Sequence, residues 1–367
     1  MKIAQIAPLF ESVPPRLYGG TERVVSYLTE ELVRQGHDVT LFASEDSFTT
    51  AKLVSCIPRA IRLDPDIIDP IPHFMVMLDK VQERAAEFDI LHFHIDYFQF
   101  PLFRSSRIPM LTTLHGRQDL PDHLPLYNRF PQMPLVSISL AQRLPLPGSN
   151  FVGNVYHGLP PALLKPAPRS ADGYLAFLGR MSPEKRPDRA VEIARRSGMK
   201  LKLAAKVDQA DAEYFRRVVE PLIDGKQIEF IGEINDSNKR EFLNQASALL
   251  FPLDWPEPFG LVMIEAMACG TPVLGFRCGS VPEIVEDGHT GIIVDSIQEA
   301  VQAVPQLLRL DRSKIRFRFE QRFSSSRMAR DYVAIYQKLC NTPRGLLIDE
   351  ELADIQPGRW QRLAADS

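Results

Sequence analysis

A chain of 367 residues is longer than one ordinary core and suits two α/β domains with a linker and a tail. Its 45% hydrophobic and 24% charged residues and net charge of -3 are those of a globular enzyme, which excludes a disordered chain and one that coats nucleic acid. Cys56, Cys269, Cys278 and Cys340 form no C-x-x-C, so reduced structural thiols are expected rather than a zinc or disulfide framework.

In chain order, Lys2 to Ala7 reads as a short apolar strand, followed by a polar, proline-rich loop and Gly19-Gly20. Val24, Val25, Leu28, Leu32 and Val33 recur at helical spacing up to Gly36, and Asp38 to Ala43 is a second strand. This βαβ unit predicts a parallel sheet. Further strands are expected at Ile90 to Phe93, Met110 to Leu114, Leu135 to Ile138 and Phe151 to Val155, joined by rather short helices. The stretch from Gly158 to Gly173 carries Pro160, Pro161, Pro166 and Pro168 and reads as the domain boundary.

The pattern then restarts, with strands at Tyr174 to Leu178, Lys200 to Ala205, Gln227 to Ile231, Ala248 to Phe251 and Pro272 to Gly275. Helices are expected at Asp188 to Arg196 and Ala212 to Ile223, giving a second doubly wound domain. A last helix, Met328 to Cys340, is expected to cross back onto the first domain. The division is therefore 1–165 for an amino-terminal Rossmann-like domain and 166–326 for a carboxyl-terminal one, with a crossing helix at 327–340 and a loosely packed tail at 341–367. No signal-peptide pattern opens the chain and no apolar run is long enough to span a membrane, so a cytoplasmic protein is expected, with weak peripheral membrane association left open.

The most informative stretch runs from Asp254 to Val273, a loop after a strand that opens a helix. Prolines fix the loop, Gly260 allows close backbone approach, and free amides near Gly260, Leu261 and Val262 can hold an anionic diphosphate. Glu257 precedes this helix and Glu265 falls about two turns inside it, so one carboxylate can take sugar hydroxyls and the other a ribose diol. The bland alternative makes them a helix-start charge and a solvated residue; the apolar neighbours of Glu265 argue against it. A second loop, Leu178 to Asp188, sets Arg180 and Lys185 at a strand end, where they either meet ligand phosphates or form a surface ion pair within the loop.

The spacing from Glu257 to Glu265, with Ala266-Met267-Ala268-Cys269-Gly270-Thr271-Pro272-Val273 after it, resembles the E-x7-E motif of the family 4 retaining glycosyltransferases of GT-B fold. The resemblance spans Met1 to about Leu339 and implies two Rossmann-like domains facing each other across a cleft, the amino-terminal one binding the acceptor and the carboxyl-terminal one the nucleotide sugar. By similarity, Arg180 and Lys185 correspond to the G-R-x-x-x-E-K segment and bind the donor diphosphate, and Phe259, Gly260, Leu261, Val262 and Glu265 are further donor contacts. The loop Tyr18 to Arg23 resembles the family's glycine-rich loop, with Gly20 foremost; no G-x-G-x-x-G dinucleotide fingerprint is present, which disfavours an NAD-dependent dehydrogenase. His115, delivered by Thr112-Thr113-Leu114, occupies the place of a histidine that contacts the donor sugar, with a core or capping histidine as the alternative.

The catalytic set implied is thus His115, Arg180, Lys185 and Glu257. No cofactor and no metal are expected beyond the nucleotide sugar itself: His92 and His94 share one strand face, yet no third ligand is evident. Lys206 could add a third positive charge, and His94 and Asp96 are candidates for the acceptor side. The function implied is retaining transfer of a hexosyl group from UDP- or GDP-hexose to a hydroxyl of a small molecule, glycan or lipid. The rival readings are a sugar-nucleotide-binding protein without transferase activity and a GT-B epimerase or phosphorylase. The donor base, the sugar and the acceptor are not legible, the loops Phe48 to His73 and Arg117 to Pro134 carrying no readable code.

Overall fold

The computed structural model describes residues 1–16, 19–168 and 173–342. Tyr18 of the glycine-rich loop, residues 169–172 of the expected boundary and the tail from 343 onward lie outside the described residues.

The amino-terminal half builds one sheet from β1 (Lys2–Ile6), β2 (Asp38–Ser44), β3 (Lys52–Ile57), β4 (Ile90–Phe93), β5 (Met110–Thr113), β6 (Leu135–Ser137) and β7 (Phe151–Asn154). Its strand order is β3-β2-β1-β4-β5-β6-β7, every pair parallel. Helix α1 (Gly20–Arg34) buries Val24, Val25, Leu28 and Leu32 against this sheet and gives way at Gly36, whose φ of 86° suits glycine. β3 lies within the expected loop Phe48 to His73, and helix α2 (Ile71–Arg84) begins at the end of that loop. Phe74, Met77, Leu78 and Val81 stand at i, i+3, i+4 and i+7 and are all buried, and Pro72 in the first turn begins the helix rather than breaking it.

The carboxyl-terminal half repeats the plan with β8 (Tyr174–Arg180), β9 (Leu201–Lys206), β10 (Ile228–Gly232), β11 (Ala246–Phe251), β12 (Val273–Phe276) and β13 (Gly291–Val294). The order β10-β9-β8-β11-β12-β13 is again wholly parallel. Around it lie α3 (Pro187–Ser197), α4 (Asp236–Gln245), α5 (Leu261–Ala268), α6 (Ile297–Leu307) and α7 (Arg312–Arg322). The helix expected at Ala212 to Ile223 runs without a gap from Ala212 to Leu222 but changes its winding, with an α-turn at Ala212–Tyr214, a wide turn at Phe215–Val219 and a tight one at Glu220–Leu222. Pro221 has no N–H to continue the ladder, and its ring collides with the carbonyl four residues back.

In both sheets the order reverses beside the first strand, between β1 and β4 and between β8 and β11. That reversal opens a crevice at the carboxyl ends of the strands, where ligands bind in such sheets. The final helix α8 (Ser325–Asn341) returns to the amino-terminal half, its Met328, Ala329, Tyr332 and Tyr336 sharing a core with Ile3, Leu28, Ile90 and Val136.

Candidate active site between the two sheets

One cavity of about 540 Å³ lies between the carboxyl edges of the two sheets, a size suited to a small-molecule site. The end of β8 contributes Arg180 and the loop after it Lys185, the end of β9 Lys206, and the loop after β11 Glu257, Phe259 and Gly260. α5 adds Leu261, Val262 and Glu265. From the facing sheet come Gly20 after β1, His94 and Asp96 after β4, and His115 after β5. The residues singled out from sequence for donor and acceptor thus meet in one space, each carried there by a strand end.

On the carboxyl-terminal wall every cation has a carboxylate partner. Lys185 pairs with Glu257 and lies 4.9 Å from the Trp255 ring centre. Glu265 is buried, slightly more than one turn into α5, and pairs with Lys239 of α4 at 2.8 Å. A solvated Glu265 is therefore ruled out. Arg180 does make the ion pair within its own loop, 3.2 Å from Glu184, and reaches Asp211 at 3.5 Å while also lining the cavity. Its Nε, the atom that faces Asp211, is sealed from solvent and makes no hydrogen bond. Lys206 pairs with Asp208 at 2.7 Å. Gly260, with φ of 78°, turns the chain so that α5 begins at the cavity wall with its first amides free of helical partners.

The amino-terminal wall is a chain of buried imidazoles. His115 Nε2 is 2.8 Å from His94 Nδ1, and His94 Nε2 is 2.7 Å from Gln5 Oε1. Behind them His92 meets Thr113 Oγ1 and the Tyr336 hydroxyl, each at 2.7 Å, so α8 is tied into the same network. The His115 ring also stacks on His157, which packs edge-on against Phe259. Burial holds His115 neutral, pushed down to about 3, and drives His92, His94 and His157 well below the ordinary range. Among the described residues no three His, Cys, Asp or Glu side chains gather in a metal-holding group.

Several lining residues carried no sequence signal: Lys239, Asn235 and His157. Lys239 falls in a helix without a motif, and His157 after a strand read only as apolar. Glu22 was visible inside the glycine-rich loop, but its burial was not; desolvation raises it to about 7. In that loop the steric demand falls on Gly19 rather than Gly20. A Cβ on Gly19 would come within 2.8 Å of Pro15, whereas at Gly20 the nearest atom is Leu261 Cδ1 at 3.7 Å.

Residues 18–144 match the family model Glycosyltransferase Family 4, and residues 165–322 match Glycosyl transferases group 1. The chain belongs to this family. Among relatives of this chain, the D-inositol 3-phosphate glycosyltransferase of Streptomyces bingchenggensis is 31% identical over 159 residues, covering 37% of this chain and 30% of that protein. The match spans about a third of the length of the curated relatives. The same two-sheet fold is found in AviGT4, a glycosyltransferase involved in avilamycin A biosynthesis, with a TM-score of 0.72 at 23% identity over 94% of this chain and 99% of that one. It is found too in Anabaena HepE in complex with UDP and glucose, with a TM-score of 0.70 at 19% identity over 92% of this chain and 100% of that one. Among the described residues, no helix is long and apolar enough to cross a membrane.

Proposed function

We propose that this glycosyltransferase moves a hexosyl group from UDP- or GDP-hexose to an acceptor hydroxyl, with retention of anomeric configuration and without a metal ion. The observation that carries the reading is the convergence of Arg180, Lys185, Lys206 and Lys239 with the start of α5 on one cavity between two sheets. A departing diphosphate is where negative charge builds up as the anomeric bond breaks, and cations and oriented amides in a confined site stabilise it there. These groups supply what a divalent cation supplies in other enzymes.

In this reading Glu257 and Glu265 take the sugar hydroxyls and the ribose diol. Both are held in place by the lysines they pair with, Lys185 and Lys239. The bond from anomeric carbon to phosphate oxygen breaks through an oxocarbenium-like transition state. The acceptor oxygen attacks from the face the diphosphate leaves, its proton passing to the departing phosphate oxygen. Retention follows from the resemblance to family 4. His115, neutral and fixed through His94, lends the sugar a rigid polar neighbour rather than a titrating acid.

HepE binds UDP and glucose, so UDP-glucose is the first donor to test, followed by GDP-hexoses. With donor and no acceptor, the wild type should release UDP slowly. Arg180→Ala and Lys185→Ala should each lower that rate about 100- to 1000-fold. Near wild-type release in both variants removes the mechanism, and tight donor binding with no release or transfer by the wild type marks a binding protein instead.

A further inference from the structure

Asp96 stands just beyond β4, on the wall facing Arg180 and Lys185, and three observations single it out. Its backbone is left-handed, with φ of 52°, a conformation that costs any residue bearing a Cβ. Buried Gln99 holds it there, donating from Nε2 to the Asp96 carbonyl at 3.0 Å and to Thr112 Oγ1 at 2.7 Å. Its half-buried carboxylate has neither a cation nor a hydrogen-bond donor among the described residues, and burial alone raises it to about 6. Arg16, Arg23 and Arg62 line the same cavity, yet Arg62 turns to Glu11 at 3.4 Å and to the Phe10 ring. Third, Phe10 and Phe98 flank the buried Phe74, at 5.3 and 5.1 Å between ring centres, and present partly exposed rings to the cavity.

A strained, desolvated carboxylate without a partner is a costly arrangement unless a ligand completes it. We propose that Asp96, with Phe10 and Phe98, forms the acceptor subsite, and that the acceptor is a neutral, hydroxyl-rich ring of the sugar or cyclitol class. The proposal rests on the transferase reading above. The carboxylate accepts hydrogen bonds from two neighbouring hydroxyls, and an aromatic face packs against the C–H side of the ring. A hydrocarbon alcohol leaves Asp96 unpaired. A cation meets the three arginines, and an anion meets Asp96, so a neutral polyol fits this mixed wall best.

The test uses the full chain saturated with UDP and saturation-transfer NMR on methyl α-D-glucopyranoside, myo-inositol and n-hexanol. The ring polyols should receive magnetisation from the protein and hexanol should not. Asp96→Asn should weaken polyol binding roughly tenfold with UDP affinity unchanged, since a charged acceptor is lost while asparagine tolerates the left-handed backbone and keeps the fold. Phe98→Ala should weaken the same ligands. Unchanged polyol binding in Asp96→Asn, preferential binding of hexanol, or no polyol signal from the wild type overturns the subsite. Failure of the wild type to bind UDP strikes the transferase reading first and removes the subsite with it.

Discussion

Glu22 is a carboxyl group almost without water, raised from 4.5 to about 7 mainly by desolvation, with Glu11 adding repulsion and Arg62 opposing it. A carboxyl shifted upward on folding holds its proton in the native state at pH values where the unfolded chain has lost it. Its contribution to stability is therefore present in acid and lost as pH rises from 4.5 through about 7. Glu22→Gln keeps the shape and abolishes the ionisation. Relative to wild type, this variant should gain up to about 3 kcal/mol between pH 5 and pH 8 in urea unfolding. An equal gap between the two proteins at both pH values would mean that Glu22 ionises normally. The histidines behave in the opposite way: His115 is neutral at every pH above about 3, so it contributes no charge change near neutrality.

At the scale of the element, α8 is more than a brace. Its buried face places two hydroxyls among imidazoles: Tyr332 within 2.9 Å of Thr113 Oγ1, and Tyr336 accepting from Gln5 Nε2 at 3.2 Å while meeting His92 Nδ1. Gln5 then orients His94, and His94 orients His115 at the cavity. Tyr336→Phe leaves the buried amide and imidazole short of a partner, which costs about 1–3 kcal/mol. Guanidinium unfolding monitored by fluorescence should register that loss; a variant as stable as wild type would mean that the hydroxyl has no share in the network.

At the scale of the whole molecule, the chain crosses between the halves twice, and the two crossings touch. Leu159 N–H donates to Phe323 O at 2.8 Å and Ser325 N–H to Leu159 O at 2.9 Å, while Arg327 of α8 donates to the Tyr156 and His157 carbonyls. Gly158 sits where the strands of this junction approach; a Cβ there would lie 2.4 Å from the Ser324 carbonyl oxygen. Gly158→Ala should therefore cost about 1–3 kcal/mol through backbone displacement, read as a lower thermal midpoint. A midpoint equal to wild type would show a junction loose enough to absorb a methyl group. On the far side of the contact, Glu283 accepts the Leu140 and Ala141 amides, both at 2.7 Å, and the Tyr156 hydroxyl at 3.0 Å, so one carboxylate of the second half caps a turn of the first.

What the sequence determined by itself was local. Apolar runs of strand length, helical spacing and the Glu257 to Glu265 pattern each depend on neighbours a few residues apart, and parallel sheets carry the following loops to one edge whatever lies beyond. Hence Arg180, Lys185, Glu257, Glu265, Gly20 and His115 could be set at strand ends and helix starts in advance, their roles resting on the family resemblance, while α2 went unread because prolines near residue 70 masked its apolar face. Only the tertiary structure decided the partners. Lys239 meets Glu265, Asp211 meets Arg180 and Tyr336 meets His92 across 26, 31 and 244 residues of chain, and Glu22 and Asp96 owe their perturbed acidity to burial by segments far away. Desolvation and ion pairing follow from how two sheets close on each other, and no window of sequence contains that closure.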